Sequence, residues 1–136
     1  MINIPIVAAL TGAALLLLQT ALMNTVGFRR LKYQQGIGDG GHDDLLLLVR
    51  RHGNLAENAA IFLAALTLLE MIGGLNTAVA VLGGGFVFAR VMHAIGLSFG
   101  DGQNAPRFVG ATGTTLTCFG TGGYLLVTAI GRIAAG

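Results

Sequence analysis

A chain of 136 residues, 54% of them hydrophobic and only 10% charged, with a mean hydropathy of +0.75, falls outside the soluble globular class, in which about 25% of residues are charged. The length suits about four bilayer-spanning helices of roughly 20 residues with short connections, and the expectation is one all-α membrane domain over residues 1–136 with no separate soluble domain. The net charge of +2 comes from eight Lys and Arg against six acids, and these basic residues cluster at segment ends, where they report membrane orientation and not nucleic-acid binding.

The first predicted helix covers about 3–31. Between Ile4 and Phe28 there is no charge, and the run closes on Arg29-Arg30-Leu31-Lys32-Tyr33, whose basic side chains can snorkel while Tyr33 sits among headgroups. Because the first basic residue is Arg29, the segment lacks the basic n-region of a secretion signal and is expected to remain as a span.

The following connection, Gln34 to His42, contains Gly36-Ile37-Gly38-Asp39-Gly40-Gly41, which formally satisfies the dinucleotide fingerprint G-x-G-x-x-G. That motif works only between a β-strand and a helix. Here a transmembrane helix precedes it, so the glycines are expected to serve a turn that needs positive φ.

Asp43 and Asp44 are placed to cap and charge the start of a second helix, over 43–72. Its first half carries Arg50, Asn54 and Glu57 at i, i+4, i+7, which stacks a guanidinium, an amide and a carboxylate on one face. That face cannot point at lipid, since a charge at the bilayer centre costs about 2.5 to 3.5 kcal/mol on the most lenient scale. Gly73-Gly74-Leu75-Asn76 then breaks the helix. A third helix over 77–99 holds Arg90 and His93 on one face, and after the connection Gly100 to Pro106 a fourth runs over 106–133, with Pro106 in its first turn.

Arg29, Arg30, Lys32, Arg50, Arg51 and Arg107 flank the first and third connections, whereas Arg132 alone marks the other side. The positive-inside rule therefore puts both polar connections in the cytoplasm and both termini outside. Ala8/Gly12, Ala80/Gly84, Gly85/Ala89 and Gly96/Gly100 stand at small-xxx-small spacing, which predicts close helix packing and an oligomer.

Glu57 and Arg90 are the charges furthest inside the apolar runs. One reading is a structural ion pair between helices 2 and 3, whose loss of either partner would strand a buried charge. The other adds Arg50, Asn54, His93, Arg107 and Arg29 or Arg30 at the same membrane level and makes a binding site. Cys118 alone offers no disulfide and reads as a small buried hydrophobe. Neither a metal-ligand spacing nor a nucleophile motif around Ser98 is present in the sequence. Several arginines, one carboxylate and an amide suit a small polyanion that also carries an amine, and glutathione fits that inventory.

Arg50-x-x-x-Asn54-x-x-Glu57, followed by Gly84-Gly85-Phe86-Val87-Phe88-Ala89-Arg90-Val91-Met92-His93-Ala94-Ile95-Gly96-Leu97, resembles the MAPEG family, the membrane-associated proteins of eicosanoid and glutathione metabolism, over nearly the whole chain. The Gly36–Gly41 connection is similar to the bacterial branch. The resemblance implies a homotrimer of four-helix subunits in the bacterial inner membrane. Glutathione would bind as co-substrate between neighbouring subunits at the cytoplasmic side, with no metal.

By that likeness Arg50, Asn54, Glu57, Arg90 and His93 line the glutathione pocket, and Arg30, on the stripe of Gln19, is favoured over Arg29 as a further ligand. Arg107 matches the catalytic arginine that stabilises the thiolate, as a guanidinium beside a helix N-terminus can for a thiol whose free pKa is about 8.5. Leu97 and Asn58 stand where some members have tyrosines, which points away from a specific eicosanoid synthase. The implied activity is a detoxifying glutathione transferase or peroxidase acting on lipophilic electrophiles that enter from the bilayer. The alternative is a non-catalytic lipid-binding or scaffold protein of the same fold.

Overall fold

Four helices follow one another along the chain: α1 (Ile6–Tyr33), α2 (Asp43–Met71), α3 (Asn76–Gly96) and α4 (Ala105–Ala134). They are seen in a computed structural model that describes residues 3–74, 76–98 and 103–135. Leu75, Phe99 and Gly100 to Gly102 lie outside the described residues, and with them the Gly96/Gly100 pair and the predicted end of the third helix. Each of the four helices is long and apolar enough to cross a membrane.

The helix bounds depart from expectation where local chemistry decides them. Pro5 stands at the N-cap of α1 and has no side-chain hydrogen bond to offer, so the helix starts at Ile6 and not near Asn3. At the other end α1 runs on through Tyr33 and stops where Gln34 turns left-handed at φ 51°, its N–H bonding back to Arg30 and Leu31 carbonyls. The basic cluster is therefore helical throughout.

Asp43 and Asp44 do open α2; the N-cap is His42, whose own side chain makes no cap hydrogen bond. Asp44 instead ties the hairpin together. Its Oδ1 accepts the Leu45 N–H at 2.8 Å, while Oδ2 accepts from Arg29 Nη1 at 2.6 Å and from Tyr33 Oη at 2.9 Å. Tyr33 also stacks on His42, ring centroids 3.8 Å apart. Between them Gly38, Gly40 and Gly41 take φ of 72°, 61° and 80°, so the glycine-rich connection is a turn between helices.

The core lies where α1, α2 and α3 meet. Leu15 and Leu22, Leu55, Leu66 and Leu69, and Val79 are buried there, around Phe62 and Phe86, whose rings stack at 3.7 Å. A fourth wall is added by α4, which packs mainly on α3 with backbones in contact. A Cβ at Gly96 would collide with the backbone of Arg107, and one at Gly110 with that of His93. Of the small-residue pairs read from the sequence, Gly12 abuts Leu63 and Gly85 abuts Thr117, but nothing approaches Gly84. The packed stripe of α3 is Val79, Gly83, Phe86, Ala89 and His93, which turns Ala80 and Gly84 outward.

Cys118 is exposed, contrary to the buried hydrophobe expected. It shares the outer face of α4 with Leu116 and Phe119, both exposed, so its apolar neighbours lie on the surface of the single chain and not in the core.

At the end of the bundle that holds the termini, Glu70 is 3% exposed. Its carboxylate accepts the N–H groups of Val7 at 2.9 Å and Ala8 at 2.8 Å, and so caps α1 in place of the missing local cap. Arg132 Nε donates to the Ile72 carbonyl just past α2, at 2.8 Å.

Candidate functional site

At the opposite end, a pocket of about 470 Å³ opens between α2 and the α3–α4 pair. Arg50, Asn54 and Glu57 form its α2 wall, His93 and Leu97 the α3 side, and Arg107 the α4 side. The i, i+4, i+7 stripe of α2 is thus one wall of a cavity. Arg50, Glu57 and Arg107 are exposed within the single chain, whereas His93 is only 6% exposed.

Arg107 is placed by the start of its own helix. Asn104 is the N-cap of α4, its Oδ1 accepting the Arg107 N–H at 3.1 Å, and its Nδ2 donates to the Gly96 carbonyl at 2.8 Å. One amide thereby links the end of α3 to the first turn of α4. With Pro106 pre-set in that turn, the backbone of Arg107 is fixed at the positive end of the helix dipole.

Arg90 does not line the pocket. It is 2% exposed and lies behind the wall, where Nη2 donates to Asn54 Oδ1 at 2.7 Å and Nη1 to Thr114 Oγ1 at 3.3 Å. Thr114 Oγ1 in turn donates a hydrogen bond to the Gly110 carbonyl at 2.8 Å. No Glu57–Arg90 bridge forms, because Asn54, one turn nearer, takes the guanidinium. The amide consequence is specific. With Oδ1 held by Arg90, Asn54, which lines the pocket, has its amide N–H groups left as the donors it can offer an acceptor on a ligand.

Two buried nitrogens of this region have no hydrogen-bond partner among the described residues, Nδ1 of His93 and Nε of Arg90. Such groups are costly to leave unsatisfied, and His93 is on the pocket wall. Arg30 is elsewhere. Its Nη1 donates to the Gly36 carbonyl at 2.8 Å, and it lines an open recess of about 810 Å³ with Asn24, Gly27 and Gln34. Within one chain the structure therefore gathers Arg50, Asn54, Glu57, His93 and Arg107 around one cavity, with Arg90 behind them and Arg30 apart.

Sequence reasoning missed Asn104 and Thr114. The first was readable, since Asn two residues before Pro106 is a helix-start signature. The second stands seven residues after Arg107 on the same stripe of α4, but nothing in a threonine announces a partner on another helix. Chemically the pocket has two guanidinium groups, those of Arg50 and Arg107, against the one carboxylate of Glu57. It therefore favours a ligand with net negative charge that also carries a cation.

The family model described as the MAPEG family matches residues 8–127. The inner membrane protein YecN of Escherichia coli (strain K12) is 33% identical over 67 residues, 49% of this chain and 51% of YecN. YecN of Escherichia coli O6:H1 (strain CFT073) matches to the same extent, 33% over 67 residues. The chain spans about half the length of these curated relatives.

Proposed function

The chain belongs to the MAPEG family, and from that premise we propose that it is a membrane-bound glutathione transferase acting on lipophilic electrophiles. The observation that carries this reading is the convergence of Arg50, Asn54, Glu57, His93 and Arg107 on one cavity of about 470 Å³, a volume within the range of about 300 to 1,000 Å³ usual for small-molecule sites. Glutathione brings two carboxylates, one ammonium and a thiol. Arg50 and the Asn54 amide protons suit the carboxylates, and Glu57 the ammonium.

Arg107 is the group proposed to hold the thiolate. Its guanidinium and the N-terminus of α4 stabilise the anion, and the thiol proton leaves to water. The sulfur then forms a bond to the electrophilic carbon as the leaving group departs with its electron pair. A hydroperoxide would be reduced at the same site to an alcohol and water by two glutathiones, which become the disulfide.

A homotrimer is proposed for the assembly. Glu57 stands 14 residues after Asp43, about 21 Å along the helix, and is exposed within the single chain. A carboxylate at that depth cannot face hydrocarbon, so a neighbouring copy is needed to cover the pocket. Arg30 would reach it from that copy. By likeness to YecN, named an inner membrane protein, the location proposed is the inner membrane, with the polar connections cytoplasmic.

The test is glutathione-dependent conjugation of a generic electrophile by the detergent-solubilised protein. Conjugation by wild type that Arg107→Ala removes is the expected result; equal rates would take Arg107 out of the mechanism. A melting temperature that millimolar glutathione leaves unchanged would favour a non-catalytic lipid-binding or scaffold protein, because a ligand of the native state raises apparent stability.

A further inference from the structure

The α1–α2 hairpin carries a second cavity, of about 550 Å³, lined by Thr25, Phe28, Arg29 and Lys32 of α1 and Leu48 and Arg51 of α2. It shares no lining residue with the pocket above. Three cations converge on it, and among the described residues only Arg29 has a carboxylate partner, that of Asp44 at 2.6 Å.

Arg51 has a different environment. Nη1 donates to Ser98 Oγ at 2.5 Å and Nη2 to Thr25 Oγ1 at 3.0 Å, both neutral hydroxyls. Its Nε is buried without a partner among the described residues. Lys32 has only the ring of adjacent Tyr33, 5.6 Å from its Nζ, and no carboxylate. Two positive charges around one cavity are therefore uncompensated among the described residues, and one buried N–H has no acceptor among them.

Place and wall chemistry narrow what that acceptor belongs to. The cavity lies where α1 reaches its C-terminal turns and α2 begins, at the level where spans leave the hydrocarbon. Beside the cations stand Leu48 and Phe28, the latter 72% exposed. A soluble anion has no use for such a surface, whereas an acyl chain does. A basic recess between transmembrane helices with an apolar flank is a fit for an anionic headgroup.

We propose that this cavity binds an anionic phospholipid, its phosphate held by Arg51, Lys32 and Arg29 and an acyl chain laid on Phe28 and Leu48. Through Arg51 the bound phosphate would tie α1 and α2 to Ser98 just beyond α3.

The experiment titrates the delipidated, detergent-solubilised full chain with phosphatidylglycerol, phosphatidylcholine or inorganic phosphate, reading melting temperature and lipid adducts by native mass spectrometry. The proposal expects a rise in melting temperature and a retained adduct with phosphatidylglycerol, and neither with the other two. Lys32→Gln, an exposed change that gives up only the contact with the Tyr33 ring, should weaken phosphatidylglycerol binding about fivefold, the equivalent of about 1 kcal/mol per interfacial cation. Arg51→Gln should abolish it, and Lys32→Gln carries the test if Arg51→Gln does not fold. Equal binding of phosphatidylcholine, full reproduction by inorganic phosphate, or an unaltered Lys32→Gln would each overturn the assignment.

Discussion

Where α1 ends and α2 begins, Arg50, Glu57, His93 and Arg107 face a cavity, and His93 keeps a buried nitrogen without a partner. At the other end, Glu70 closes on two backbone N–H groups and Arg132 on a carbonyl. Both ends contain acids and arginines inside or beside apolar spans, so the presence of a charge does not separate them. What separates them is whether the charged groups close on the backbone or line a cavity. Charges that meet backbone groups finish the fold, and charges that line a cavity are placed to meet a guest.

The comparison can be broken most forcefully at Glu70. Glu70→Ala removes two charge-assisted hydrogen bonds and strands two helix N–H groups, and is expected to cost about 3 kcal/mol. The check is thermal or denaturant unfolding in detergent, with the glutathione-induced stabilisation of the folded fraction retained. If Glu70→Ala instead left stability intact and removed glutathione binding, the division between the two ends would be wrong.

Arg107→Ala is the mirror experiment. It should lower the conjugation rate about a hundredfold, in the range of losing one electrostatic donor to a developing anion, while the melting temperature holds. A smaller effect is expected at Arg90, which lies behind the wall with its guanidinium on Asn54 and Thr114. Arg90→Lys keeps the charge but not the fork that reaches Asn54 and Thr114 together. We expect KM for glutathione to rise about tenfold with kcat little changed, since Asn54 would lose its fixed orientation without losing contact. Arg132→Ala should be the mildest, about 0.5 kcal/mol by unfolding, because its hydrogen bond is solvent-exposed.

These contrasts bear on what the sequence could disclose. Apolar run length alone located the four spans, and helical spacing alone put Arg50, Asn54 and Glu57 on one face, because both properties are local. Nothing local in the sequence marks the role of Glu70, since its partners are more than sixty residues away. The same holds for Arg51, read only as an orientation signal, and for Gly110, whose contact with His93 depends on how α4 lies on α3. The Glu57–Arg90 pairing was considered because opposite charges on facing helices attract, but which acceptor Arg90 meets is set by the axial offset of α2 against α3. Spacing within a helix carries no information about that offset.

The backbone contact of α3 with α4 at Gly96 and Gly110 has a mechanical consequence. Two helices that touch main chain to main chain, with Asn104 clasping their ends, cannot slide or roll on each other without collision, so they move as a single stiff slab. Within one chain, any widening of the pocket then falls to α2, which faces that slab across the cavity.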